Sequence, residues 1–248
     1  MSETPRLDIV EHVDTPHGLL RLERYLSNGR THHALWINDE RMMADEGFDS
    51  ELALAHIADA LWRVPRQVEA PTSLDLGATR PKGRSVLVGG LGVGYTARAA
   101  LELPEIERVV VLELQPRVVD WARGVFAEAN AGVVDDPRLE IVIQDLAEYV
   151  KSPPDGDRFD LCLLDVDNSP ERFLVASNES LYQADGLQQL VACLAPGGVA
   201  VFWSLAPVDV LLRRIATLDA PVSLYGSYTY DLKVGSSPRY FGYLGRSL

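Results

Sequence analysis

From Ser85 onward the chain alternates short, continuous apolar runs with longer amphipathic stretches. Val86–Val88, Val109–Leu112, Leu139–Ile143, Leu161–Leu164 and Val199–Trp203 have the length and unbroken hydrophobicity of strands buried on both faces of a parallel sheet. Between them, Tyr95–Leu103, Pro116–Ala131 and Leu181–Leu194 read as helices, which gives the strand–helix alternation of an α/β fold. After Pro207 a further helix leads to Val222–Tyr230 and Arg239–Leu244, two alternating segments that predict a closing β-hairpin.

The residues before about 75 have a different texture. Leu7–Val13, Gly18–Tyr25 and His33–Ile37 are rich in β-formers and are separated by Thr15-Pro16-His17-Gly18 and Ser27-Asn28-Gly29, which is turn chemistry. They predict two or three antiparallel strands. Asp49-Ser50 offers an N-cap to a helix that puts Leu54, Ile57 or Ala58, and Leu61 on one face. Pro65 and Pro71 end that helix, and Arg63–Arg84 reads as a connector. The expected organisation is a small N-terminal β-rich domain with a helix over residues 1–75, followed by the principal α/β domain over 76–248.

Composition narrows the function. The 248 residues carry 23 Lys and Arg against 36 Asp and Glu, a formal charge of −13, so a nucleic-acid backbone would be repelled and nucleic acid is not expected as a partner. No apolar run is long enough to span a bilayer, and Met1–Val10 has no secretory-signal pattern, so the expected location is cytoplasmic, without a membrane partner. Cys162 and Cys193 sit inside apolar runs and read as buried free thiols in a reducing compartment. His32, His33 and His56 lack companions at metal-ligand spacing, and no metal is expected.

The chemistry concentrates at strand ends. Val86-Leu87-Val88-Gly89-Gly90-Leu91-Gly92-Val93-Gly94 ends a strand and opens a helix; glycines let the backbone turn tightly and approach a ligand, and the helix N-terminus favours a negative group. The next strand ends at Glu113, where an acid can accept both hydroxyl hydrogens of a ribose. The third ends at Gln144-Asp145. Asp145 either accepts from an adenine amine or caps the helix containing Tyr149. The fourth runs into Asp165-Val166-Asp167-Asn168-Ser169-Pro170. Acids packed at a strand end beside a glycine loop are costly unless they meet something cationic or protic, so Asp165 and Asp167 are the candidates for acceptor contact or general base, with a solvated turn as the other reading of Asp167.

Gly90-x-Gly92-x-Gly94, Glu113, Asp145, Asp165 and Leu194-Ala195-Pro196-Gly197-Gly198 occur in the order and approximate spacing of class I S-adenosylmethionine-dependent methyltransferases, over roughly residues 80–245. Within that superfamily the chain most resembles the spermidine-synthase-like group, which sets a small β-rich domain and a helix before the nucleotide-binding core. The resemblance implies a Rossmann-like open sheet of seven strands, mostly parallel with an antiparallel last strand. It also implies S-adenosylmethionine as cofactor, held by Gly90, Gly92, Gly94, Glu113 for ribose, Asp145 for adenine, and Asp165. It further implies a homodimer.

Two departures bear on the reaction. Aminopropyltransferases carry a Gly-Gly-Gly-Asp-Gly loop whose acid helps hold the free ammonium of decarboxylated S-adenosylmethionine; here Gly90-Leu91-Gly92-Val93-Gly94 has no acid. The family's Tyr-His-Glu on the preceding helix appears as Asp49-Ser50-Glu51, keeping only the glutamate, and its Asp-Ser-(Ser/Thr)-Asp-Pro is respaced after Asp165. An acid-free loop leaves its amides and helix dipole to accept a carboxylate. The expected activity is therefore methyl transfer from ordinary S-adenosylmethionine to a small amine or hydroxyl acceptor. The alternatives are aminopropyl transfer from the decarboxylated compound and a non-catalytic nucleoside-binding homologue.

Overall fold

The computed structural model describes residues 8–64, 83–154, 156–231 and 237–248. A four-stranded antiparallel sheet comes first: β1 (Asp8–Thr15), β2 (Gly18–Ser27), β3 (Arg30–Ile37) and β4 (Glu40–Ala44), paired in that order. The fourth strand is an addition to the two or three expected. A two-residue turn at Asn38-Asp39 makes it, with Asn38 in the left-handed region (φ 52°) and its side chain accepting from Leu19 N–H at 3.0 Å.

Helix α1 (Asp49–Arg63) follows. Its N-cap residue is Phe48 rather than Asp49 or Ser50, and no side chain caps it; Asp49 lies in the first turn, where an acid suits the helix dipole, and the Ser50 hydroxyl donates to Glu51 instead (2.6 Å). Leu54 and Ala58 are buried, while Ile57 and Leu61 pack at the margin of the core. Pro65, Pro71, most of the expected connector and the expected domain boundary lie outside the described residues.

The principal sheet contains β5 (Arg84–Gly89), β6 (Ile106–Glu113), β7 (Leu139–Ile143), β8 (Phe159–Leu164), β9 (Leu194–Ser204), β10 (Val222–Tyr230) and β11 (Arg239–Arg246). Their spatial order is β10-β11-β9-β8-β5-β6-β7. Five strands run parallel and β11 runs antiparallel between β9 and β10, as the resemblance implied. Helices α2 (Tyr95–Glu102), α3 (Pro116–Arg123), α4 (Leu146–Lys151), α5 (Ala184–Cys193) and α6 (Asp209–Ile215) cover the sheet.

Strand alternation explains the layering. Val86, Val88, Val109, Val111, Leu161 and Leu163 face one core, with α1, α2, α3 and the inner side of the four-stranded sheet. Leu87, Val110, Leu112, Cys162, Leu164 and Phe202 face the other, with α4, α5 and α6. Continuous apolar runs were needed because both faces are covered.

Two helices are shorter than their apolar pattern suggested. The expected helix Pro116–Ala131 stops at Arg123, because Gly124 N–H turns back to the carbonyls of Asp120 and Trp121 and the chain continues in irregular turns. Those turns are pinned by the buried Asn130 amide, which donates to the carbonyls of Val93 and Ala122. The expected helix Leu181–Leu194 divides into a 3-10 segment (Ala176–Tyr182) and α5, since Gly186 packs directly on the Ser180 carbonyl and only a residue without a Cβ fits there.

Candidate active site

The carboxyl ends of β5, β6, β7, β8 and β9 open into one cavity, closed on the far side by β4 and α1. Sheet order reverses at β5, which lies between β6 and β8, and ligands of open α/β sheets bind at such a switch point. Gly90 and Gly92 of the glycine loop, Glu113, Asp145, Asp165 and Asp167 line this cavity, whereas Gly94, also expected at the cofactor, does not and lies against Asn130 and Val133.

The loop turns so sharply after β5 that a side chain has nowhere to go. Gly90 has φ +85°, and a Cβ on it would lie 2.7 Å from the Asp165 carbonyl oxygen. Three of the loop amides are already occupied. Gly90 N–H donates to the Leu112 carbonyl (2.9 Å), Leu91 N–H to Glu113 Oε2 (2.9 Å), and Val93 N–H to the Met43 sulfur of β4. Of the loop amides expected to be free in an acid-free sequence, those of Gly90, Leu91 and Val93 are therefore engaged.

Glu113 is 5% exposed. Besides Leu91, its Oε1 accepts from Gln115 N–H at 2.8 Å, and the amides of Gly92 and Leu114 also face it. Burial raises its pKa above the ordinary carboxylate value, and these main-chain amides oppose the rise. Asp145 caps α4, with Oδ1 accepting from Ala147 N–H at 2.7 Å, and the same residue lines the cavity.

Asp165 Oδ2 accepts from the Thr96 hydroxyl at 2.9 Å. Burial, then the negative charge of Glu51 on α1, push its pKa up to about 7. Burial raises Glu51 as well; the Ser50 hydroxyl and the more distant Arg239 of β11 oppose that rise. Asp167 is buried, 4% exposed, rather than part of a solvated turn. Its Oδ1 accepts from Leu174 N–H (2.7 Å) and the Asn178 amide (3.0 Å), so it ties down the segment after β8, and burial raises its pKa to about 6.

Several cavity residues were not singled out from the sequence. Met42 and Met43 come from β4, the strand without an alternating pattern. Glu51 carries no signal in the sequence beyond its place in Asp49-Ser50-Glu51, the remnant of a family motif. Gln115 lines the cavity beside Glu113, and its side-chain nitrogen is buried without a hydrogen-bond partner. A glutamine beginning a helix carries no sequence signal for that role. Together the lining holds five carboxylates, Glu51, Glu113, Asp145, Asp165 and Asp167, and no Lys or Arg among the described residues.

Comparison with known proteins agrees with this arrangement. A model of the spermine/spermidine synthase domain matches residues 76–240. A polyamine aminopropyltransferase of Mycobacterium tuberculosis (strain ATCC 25618 / H37Rv) is 36% identical over 138 residues, 54% of this chain and 25% of that protein. One from Aeropyrum pernix is 33% identical over 151 residues, 58% of this chain and 47% of that protein. The chain thus spans less than half the length of the curated relatives it matches. A crystal structure of spermidine synthase in complex with the transition-state analogue AdoDATO superposes with a TM-score of 0.71 at 20% identity, over 96% of this chain and 73% of that one. Spermidine synthase from Thermotoga maritima gives 0.69 at 19% identity, over 96% and 72%. At those identities the likeness establishes the fold. With the domain match spanning most of its length, the chain belongs to the spermine/spermidine synthase family.

Proposed function

We propose that the protein is an aminopropyltransferase-type enzyme that joins an aminopropyl group from decarboxylated S-adenosylmethionine to an amine acceptor. The observation that carries this reading is the charge of the cavity: five carboxylates line it and no cation does. An ammonium-bearing donor and an amine acceptor relieve that charge, whereas the α-carboxylate of ordinary S-adenosylmethionine adds to it. The engaged amides of Gly90, Leu91 and Val93 point the same way, since those three offer a carboxylate no replacement for its lost water. The names of the curated relatives also favour aminopropyl over methyl transfer.

The nucleoside fits the residues present. Glu113 and the unpartnered Gln115 amide offer an acceptor and a donor for ribose, and Asp145 an acceptor for the adenine amine. When bound, the sulfonium supplies an electrophilic carbon, and its C–S bond pair stays on sulfur as the amine nitrogen attacks. The protein aligns the two ligands and receives the amine's proton. Asp165 is the group assigned to that proton, because a carboxylate with a pKa near 7 can both hold an ammonium and accept a proton at neutral pH. Glu51, on the opposite wall, holds the cationic acceptor in place. Asp167 acts through the segment after β8, which it anchors.

Calorimetric titration with both nucleosides tests the reading. Tighter binding of the decarboxylated compound, followed by release of 5′-methylthioadenosine when a diamine is added, is the expected result. Preference for ordinary S-adenosylmethionine would restore methyl transfer. We also propose that two copies associate, because β1 stands at a sheet edge with no further strand beside it among the described residues; a monomer by light scattering at micromolar concentration would count against it.

A further inference from the structure

The N-terminal sheet and the glycine loop meet at a point that none of these roles uses. Met43 of β4 reaches into the loop: Val93 N–H donates to its sulfur, and a Cβ placed on Gly92 would run into the same atom. A side chain on Gly92 would have to displace the end of Met43, so in this packing a thioether from the other sheet holds the space of a loop side chain. Gly92 itself lies in the left-handed region, φ +52°.

That position matters electrostatically. Val93 stands just before α2, where the partial positive charge of the helix N-terminus draws anions, and the amides before it are spent on Leu112 and Glu113. The Val93 amide is the next donor along the loop that an anion entering from the cavity would meet. Sulfur is bulky and only a weak hydrogen-bond acceptor, so Met43 covers that amide without supplying any charge of its own.

We propose that Met43 is a specificity-determining residue that keeps the carboxylate of ordinary S-adenosylmethionine out of the glycine loop, restricting the donor to a nucleoside whose tail ends in an ammonium. The inference rests on the aminopropyl-transfer reading for the identity of the donor. It adds that discrimination is steric and sits in one side chain of the N-terminal sheet.

The test titrates the wild type, Met43→Ala and Met43→Leu with ordinary S-adenosylmethionine, its decarboxylated form and 5′-methylthioadenosine, which carries no charged tail. Met43→Ala is expected to shift the affinity ratio toward ordinary S-adenosylmethionine by about tenfold or more, the worth of a hydrogen bond to a charged group. Met43→Leu, which keeps the volume, is expected to retain the wild-type ratio, and 5′-methylthioadenosine affinity corrects each protein for any general change that Met43, as a lining residue, makes to the cavity. If Met43→Ala does not fold, Met43→Val carries the same expectation. An unchanged ratio in the truncated variant, or a shift in Met43→Leu as large as in Met43→Ala, would overturn the inference while leaving aminopropyl transfer standing. A wild type that prefers ordinary S-adenosylmethionine would overturn both.

Discussion

Glu113 ends one of the two strands that flank β5 and Asp165 directly follows the other; the first is buried and the second half-buried on the same cavity, yet their surroundings are opposite. Glu113 has main-chain amides on both oxygens, supplied by the glycine loop and the start of α3. Much of the cost of burying its charge is offset within the chain, and its position is fixed before any ligand arrives. Asp165 has the Thr96 hydroxyl and, across the cavity, another carboxylate, Glu51. The nucleoside end is thus a finished receptor for hydroxyl donors. The acceptor end stores negative charge that only a cationic ligand relieves. Both acids are equally visible as strand-end residues, and only their neighbours tell a positioning carboxylate from a proton-accepting one.

The largest effect should come from the finished end. Glu113→Ala removes the acceptor for two ribose hydroxyls, and at about 1.5–3 kcal/mol for each hydrogen bond to a charged group the affinity for 5′-methylthioadenosine should fall at least about a hundredfold. The same substitution strands the buried amides of Leu91 and Gln115, so the melting temperature should drop as well. Unchanged affinity by calorimetry would show that the ribose lies elsewhere.

At the charged end, Asp165→Asn should leave 5′-methylthioadenosine binding within about twofold while weakening the decarboxylated donor by about tenfold, the worth of one charge-assisted contact. In the wild type, affinity for that donor should rise with pH through about 7 as Asp165 ionises, and the variant should lose this dependence. Equal losses for both ligands would mean that Asp165 shapes the fold and does not read charge.

The contrast between the two ends sets what was legible in the sequence. The strands were, because burial on both faces demands the unbroken apolar runs at Val86–Val88 and Leu161–Leu164, and β7 has the bounds its pattern predicts. The acids at strand ends were legible for the same reason: a charge closing an apolar run stands out. β4 was not, since Glu40-Arg41-Met42-Met43-Ala44 has no alternation, although the Asn38-Asp39 turn before it is a hairpin signal. What Met43 touches, and that Glu51 faces Asp165, are products of how the two sheets pack. Local sequence carries no record of them. The state of the loop was misread on these grounds: an absent acid is visible in the sequence, but a sulfur arriving from another strand is not.

Asp165 also gives the ligand-free protein a pH-dependent stability whose sign follows from its raised pKa. The unfolded aspartate ionises near 3.9 and the folded one near 7, so between those values the native state holds the extra proton. Stability contributed by this group is therefore highest below about 4, falls as pH rises through the window, and is lowest above about 7. Asp165→Asn has no proton to lose, and thermal melts should show the variant gaining on the wild type by a few degrees between pH 5 and pH 8. A constant difference across that range would break the contrast with Glu113.

The smallest effect separates the two duties of Asp145, which stands between the contrasting ends in kind: its carboxylate is partly satisfied within the chain and partly offered to the ligand. Its Oδ1 accepts from Ala147 N–H at the start of α4, and losing such a cap costs about 1 kcal/mol, or about 2–4 °C in a domain of this size. Asp145→Ala should lower the melting temperature by that amount and weaken nucleoside binding. Asp145→Ser keeps a capping oxygen on a shorter side chain that does not extend to an adenine amine. Its melting temperature should stay near the wild type while adenosine affinity falls to the Asp145→Ala level, about tenfold for one hydrogen bond to a charged acceptor. If Asp145→Ser keeps full affinity, Asp145 is a cap alone, and adenine is read by something other than the acid at the end of β7.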